Sequence, residues 1–146
     1  KYRGQEEIGS VLGNCYAEEL KNNPILSTVD AIIPVPLHPK KLRERGYNQV
    51  AEFGKALAAE LNIPVNNEIL FRQVYSKTQS QKDFLGRSEG INTIFDVSFT
   101  KNEENKHFLL IDDVLTTGAT LEGCAKAVLK IPGAKISIVC MAMAHS

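Results

Sequence analysis

The sequence predicts an α/β fold built on a parallel sheet, and three observations carry that expectation. Phe108-Leu109-Leu110-Ile111 is a short, wholly apolar run bounded by polar residues. Leu121, Cys124, Ala125, Val128 and Leu129 then recur at helical spacing, i, i+3, i+4, i+7, i+8. After the break at Pro132-Gly133, the stretch Lys135–Met143 has the length and apolar content of another strand. Strand, helix and strand in that order form a crossover unit with parallel strands and a right-handed connection.

Upstream elements follow in order. Ile8, Val11, Leu12, Cys15 and Tyr16 predict one face of a first helix, which Asn22-Asn23-Pro24 ends. Ala31-Ile32-Ile33 predicts a buried strand, stopped by Pro34-Val35-Pro36 because proline lacks the ladder N–H. Val50, Gly54, Leu57, Ala58 and Leu61 predict a second helix, ended by Asn62-Ile63-Pro64. Ile69–Phe71 and Thr93–Ser98 predict short strands, and Lys101–Asn105 a polar turn. Arg72–Gly90 is polar and weakly periodic, so a long loop is expected, of the kind that serves function or moves. The polar stretch Asp112–Thr120 is expected as a loop at the carboxyl end of a strand, where open α/β sheets bind ligands.

Composition limits the functions open to this chain. Its 146 residues suit one domain, 1–146, with a core that needs no disulfide or metal. Seventeen Lys and Arg balance seventeen Asp and Glu, which excludes a globally basic nucleic-acid coat and an acidic tail protein. The zero is a sum: residues 1–30 hold three basic against five acidic residues, while residues 36–50 hold four against one. No apolar run approaches the roughly 18 residues of a membrane span, so no membrane association is expected. Lys1-Tyr2-Arg3-Gly4 opens the chain without the pattern of a secretory leader, and without a Met, as a piece of a longer protein would. Cys15, Cys124 and Cys140 are odd in number and set among apolar neighbours; they are expected as buried small hydrophobes in a reducing, cytoplasmic setting.

The chemistry concentrates in Asp112-Asp113-Val114-Leu115-Thr116-Thr117-Gly118-Ala119-Thr120. Its Thr-Thr-Gly-Ala-Thr turn precedes a helix, whose first N–H groups are unpaired and whose dipole favours an anion. Thr116, Thr117 and Thr120 add hydroxyl donors, and Gly118 lets the backbone approach a phosphate. No Gly-Lys-Ser/Thr follows, so this is not a Walker loop. Asp112 and Asp113 only accept, which suits a pair of vicinal hydroxyls or a metal. Together these parts describe a receptor for a 5-phosphoribosyl group.

The string Phe108–Thr120 resembles the phosphoribosyl pyrophosphate (PRPP) signature of type I phosphoribosyltransferases. The stretch Ile33–Gln49 resembles the pyrophosphate-loop region of the ComF-type branch, related to amidophosphoribosyltransferases. Arg72, Thr78, Gln81, Arg87 and Asn92 echo that branch's polar loop, with Glu89 and Gly90 standing where a second arginine is expected. The resemblance implies the type I fold: a central, mostly parallel sheet of about five strands, flanking helices and a flexible loop. It implies that Asp112 and Asp113 meet the ribose hydroxyls, and that Leu115, Thr116, Thr117, Gly118, Ala119 and Thr120 hold the 5′-phosphate. Pro36, Leu37, Lys40, Lys41, Arg43 and Arg45 are assigned to pyrophosphate, their local +3 charge matching that leaving group. Arg87 joins Asp112 and Asp113 in the catalytic set. Mg²⁺ is the implied cofactor, with the two aspartates as its candidate protein ligands. Many members carry a Cys-rich zinc segment ahead of the point where this chain opens.

The reaction so implied displaces pyrophosphate from ribose C1 by a nitrogen nucleophile. Two other readings stand beside it. One is a binding module that senses PRPP or a nucleotide without turnover. The other, from the branch's link to natural competence, is handling of single-stranded DNA by the basic stretch. A homodimer is an allowed assembly. His38 is a phosphate contact or a solvated side chain, Tyr47 a packing or base-stacking residue, and His107 and His145 structural or incidental.

Overall fold

The computed structural model describes residues 6–37, 43, 48–73 and 94–144. Its elements in chain order are α1 (Glu6–Leu20), β1 (Ala31–Pro34), α2 (Gln49–Leu61), β2 (Leu70–Gln73), β3 (Ile94–Val97), β4 (His107–Leu115), α3 (Ala119–Val128) and β5 (Lys135–Met143). Two 3₁₀ turns, Leu26–Thr28 and Lys101–Glu103, link them.

The central sheet runs β1-β4-β5, parallel throughout. A single parallel bridge, Ile32 to Val65, adds a fourth position outside β1. The β2 and β3 strands form a separate antiparallel pair. Five strands are therefore present among the described residues, but divided between two sheets rather than joined in one. The expected flexible loop lies outside the described residues.

The βαβ unit forms as its periodicity demands. Phe108, Leu109, Leu110 and Ile111 are all buried, because a central parallel strand is covered on both faces. Alternation sends Phe108 and Leu110 to one face and Leu109 and Ile111 to the other. Leu121, Cys124, Ala127 and Val128 of α3 pack on the first face, together with Phe95 and Leu70 of the hairpin. The second face holds Val50, Phe53 and Leu57 of α2 with Ala17 of α1. Pro34 extends β1 by one residue beyond expectation, paired with Ile111. The next amide, Val35 N–H, donates to the Ile111 carbonyl, so the ladder continues past the proline.

The first helix presents a different face from the expected one. Ile8 and Val11 are 50% and 59% exposed, and Cys15 is exposed too. Gly9, Gly13 and Ala17 are buried instead. Small residues let α1 approach α2 closely: a Cβ on Gly13 would stand 2.5 Å from Ala56 Cβ. Periodicity scoring rewards large apolar residues and so overlooks a stripe of small ones. Gly13→Leu is expected to destabilise the fold by about 2–3 kcal/mol through overpacking, despite the better helix former. Urea denaturation checks this, and an unchanged midpoint would refute the close crossing.

A polar cluster secures the opposite end of the sheet. Thr28 Oγ1 donates to Ile25 O at 2.7 Å and lies 2.8 Å from His107 Nδ1. With its proton so placed, the hydroxyl accepts from Nδ1–H, which leaves Nε2 to accept from Ser137 Oγ at 2.9 Å. Both ring nitrogens of His107 are thus bonded within the fold. Its backbone N–H donates to Asp30, whose other oxygen meets Lys106 Nζ at 2.9 Å. The His107 N–H first, and the Lys106 ammonium second, hold the Asp30 carboxyl below its usual range. A depressed folded value gives stability that is full above the ordinary carboxylate range and is lost as pH falls through the folded value. Asp30→Asn is therefore expected to lower stability at pH 7 by about 0.5–1 kcal/mol, limited by solvent screening, with the deficit shrinking below about pH 4. Paired denaturation curves at pH 7 and pH 3 measure it.

Candidate functional site

Parallel strands end together, so the carboxyl ends of β1 and β4 share one rim of the sheet. Pro36 and Leu37 follow β1 there and are half-buried, and Asp112–Thr120 ends β4 and leads into α3. Arg43 is exposed. Lys40, Lys41, Arg45, His38, Tyr47, Thr78, Gln81, Arg87 and Asn92 lie outside the described residues, so their assignments rest on sequence.

The acid pair does not sit in a loop. β4 runs through Asp112 and Asp113 to Leu115, and this corrects the expected strand end at Ile111. Aspartate is a poor strand former, because its side chain competes for backbone N–H groups. The competition is visible in place: Asp112 Oδ1 accepts from Asp113 N–H at 2.9 Å, and Asp113 Oδ1 from Val114 N–H at 2.8 Å. The ladder with β5 reaches Asp112–Cys140, skips Asp113 and resumes at Val114–Ala142. Pairing with β5 on both sides of the gap keeps the segment extended.

Alternation along the strand separates the two carboxylates. Asp112 is 9% exposed and acts electrostatically on Cys124 of α3. Burial first, and the Asp112 charge second, push the Cys124 thiol up to about 12. Asp113 faces the α1 side and lines a small depression with Leu12, Val114 and Met141. The pair therefore straddles the end of β4, one acid on each side. Cys140, opposite Asp112 in the register, is likewise raised by burial and then by the two acids. Neither thiol is an activated nucleophile.

Three residues after β4 the chain has turned into α3. Gly118 takes φ +79°, the left-handed region, and caps the helix without a side-chain hydrogen bond. Thr117 Oγ1 lies 3.5 Å from Ala119 N, at the limit of a bond. Thr116, Thr117 and Thr120 are exposed. A helix start so weakly capped, three hydroxyls and a glycine backbone make a donor surface suited to a phosphate. α3 begins at Ala119, two residues before the first periodic position, because the glycine sets the turn. Beside it, an open cavity of about 660 Å³ is lined by Leu115, Gly118, Leu121, Glu122 and Cys140 among others. Glu122 is paired with Lys126, one helical turn on.

Arg72 belongs to a strand rather than to the expected loop. It pairs with Phe95 across the hairpin, and its guanidinium carbon lies 5.5 Å from the ring centroid. Burial lowers its ordinarily very high pKa. The sequence predicts the strand as far as Phe71; its extension through Arg72 and Gln73 follows from the pairing of Arg72 with Phe95 and Gln73 with Ile94.

Among the described residues, no group of three or more His, Cys, Asp or Glu side chains could hold a metal ion by itself. No helix among them is long and apolar enough to cross a membrane.

Comparison with known proteins agrees with this geometry. The family described as "Phosphoribosyl transferase domain" matches residues 51–146. "Competence protein F" of Haemophilus influenzae is 33% identical over 121 residues, covering 82% of this chain and 53% of that protein. "Competence protein ComFC" of Bacillus subtilis is 32% identical over 133 residues, covering 89% of this chain and 50% of that protein. The chain thus spans about half the length of these relatives. A purine phosphoribosyltransferase from Pyrococcus horikoshii superposes with a TM-score of 0.58 at 20% identity, covering 98% of this chain and 76% of that one. At that identity the likeness speaks for the fold.

Proposed function

From the premise that this chain belongs to the phosphoribosyl transferase domain family and has the type I fold, we propose that it is a PRPP-dependent phosphoribosyltransferase acting through one domain, 1–146. One observation carries the reading: an acid pair at the end of β4 leads within five residues to a glycine-capped helix start. Ribose hydroxyls and a 5′-phosphate on one sugar require acceptors and donors spaced in that way.

Thr116, Thr117, Thr120 and the first α3 amides take the 5′-phosphate, with Leu115, Gly118 and Ala119 shaping the cradle. Asp112 and Asp113 accept from the ribose hydroxyls. The basic stretch Lys40–Arg45 with Pro36 and Leu37 receives pyrophosphate, whose departure needs positive charge more than a proton. Arg87 adds to that charge. Fixing the sugar at both ends holds C1 in place for a nitrogen nucleophile.

Mg²⁺ fits this donor set. Asp112 and Asp113 stand on opposite sides of β4, so the ion would be held mainly by ribose and pyrophosphate oxygens with at most one of the two carboxylates, as suits an ion that takes few protein ligands. When bound, it supplies charge neutralisation between ribose and pyrophosphate oxygens.

Calorimetry with PRPP and Mg²⁺ tests the binding, and pyrophosphate release with ammonia and nucleobases tests the chemistry. Absence of PRPP binding would refute the proposal. Binding without release by any acceptor would favour the sensor reading. The names of the two relatives favour a role in competence. Single-stranded DNA binding that fails even at low salt would exclude direct DNA contact.

A further inference from the structure

The sheet order β1-β4-β5 leaves the outer edge of β5 unpaired among the described residues. Lys135 N–H donates to the Lys106 carbonyl, on the β4 side. Strand alternation therefore turns the N–H and C=O groups of Ile136, Ile138 and Cys140 outward. Sheet edges are ordinarily guarded by charge, proline or a short strand. This strand is nine residues long, and Ile136–Met143 contains neither a charged residue nor a proline. Ile138 and Met143 are 48% and 66% exposed. The open cavity beside the phosphate turn touches Tyr16 of α1 as well as Leu121, Glu122 and Ala125 of α3. Those two helices cover opposite faces of the sheet, so the cavity wraps around the β5 edge.

We propose that this edge pairs with the same edge of a second copy of the chain, antiparallel about a two-fold axis beside Ile138. The pairing goes beyond the phosphoribosyl reading and does not depend on it. A two-fold contact requires a surface complementary to itself, and charge makes this one so. In an antiparallel pair, the start of one β5 lies beside the end of the other. Glu122 lines the cavity together with Ala142 and Met143 at the strand's end. The exposed Lys135 at the start of the second copy's β5 is thereby brought toward Glu122. The axis repeats that attraction, so opposite charges meet at both ends. Between them the uncharged stretch meets itself with no like charges opposed. The chain's zero net charge adds no repulsion between copies. The outward N–H and C=O groups of each strand answer those of the other.

Sedimentation equilibrium over a range of concentrations measures the association. The wild-type chain is expected to approach twice the monomer mass, and a monomer at every concentration overturns the proposal. Ile138→Lys sets two like charges beside the axis and is expected to weaken the dimer at least about tenfold. Phe99→Lys replaces another exposed apolar residue, on the loop after β3, and should leave the dimer within about twofold. A dimer that Ile138→Lys leaves equally stable overturns the proposal, because its contact then lies elsewhere. Should Ile138→Lys fail to fold, amide exchange in the wild-type chain decides. The outward amides of Ile136, Ile138 and Cys140 are expected to exchange at least about tenfold more slowly in the dimer than in the monomer obtained by dilution. Equal rates in the two states overturn the pairing.

Discussion

Asp113→Asn is expected to weaken PRPP binding about 30- to 100-fold, with little change in stability. Hydrogen bonds to a charged group contribute roughly 1.5–3 kcal/mol, and tenfold in affinity corresponds to about 1.4 kcal/mol. The amide keeps an acceptor for Val114 N–H, so the local backbone is preserved. What it loses is the negative charge, and one oxygen becomes an N–H donor where the proposed ribose hydroxyl also donates. Asp113 is half-buried on the α1 side and away from the main core, so unfolding should hardly move. Asp112→Asn makes the informative contrast. Asp112 is nearly enclosed, so that variant is expected to lose stability as well as affinity. Calorimetry and thermal melting on the pair measure both effects. Equal PRPP affinity in Asp113→Asn and wild type would remove the acid pair from the site.

Replacing Gly118 by valine is the second large expected effect. The residue sits at φ +79°, ψ −6°, where a side-chain-bearing residue is strained by roughly 1–2 kcal/mol and a β-branched one by more. Space is not the obstacle, since an added Cβ would meet Leu115 Cδ1 at an ordinary 3.7 Å. The strain is relieved by unwinding the turn, which redirects the first α3 amides away from a phosphate. A stability loss of about 2 kcal/mol and at least about a tenfold loss of ribose 5-phosphate affinity should appear together. Gly118→Asn tests the cause, because asparagine tolerates the left-handed region far better. It should melt close to wild type and keep most of the affinity. If Asn and Val behave alike, backbone conformation is not what the glycine supplies.

The last third of the chain is legible in sequence because each level agrees there. Apolar run, helical period, Pro-Gly break and apolar run all point to one unit, and β5 spans the expected Lys135–Met143. Where local signals conflict with tertiary pairing, the pairing wins. Asp112 and Asp113 favour turns by propensity, yet β5 alongside keeps them in a strand. Arg72 is polar and precedes a polar stretch, yet cross-strand Phe95 draws it into β2. Val65 reaches the sheet by one bridge beside Pro64, too short to carry any period. The candidate site divides in the same way. The phosphate turn is visible from Thr, Gly and the following helix, whereas the placement of the two acids on opposite sides of β4 requires the register.

Tyr16 on α1 packs edge-to-face on Phe53, and its hydroxyl donates to the Met141 carbonyl of β5 at 3.0 Å. These partners are 125 residues apart. α1 therefore cannot complete its packing until β5, far later in the sequence, has left the ribosome. Until then the α1 surface that meets β5 stays open to solvent or to other chains. Closure over so long a separation is slow for entropic reasons, and parallel strands add to the delay. Addition of β5 thus acts as a commitment step for the fold, and a truncation before Met141 should leave a species prone to associate rather than a slightly smaller native domain.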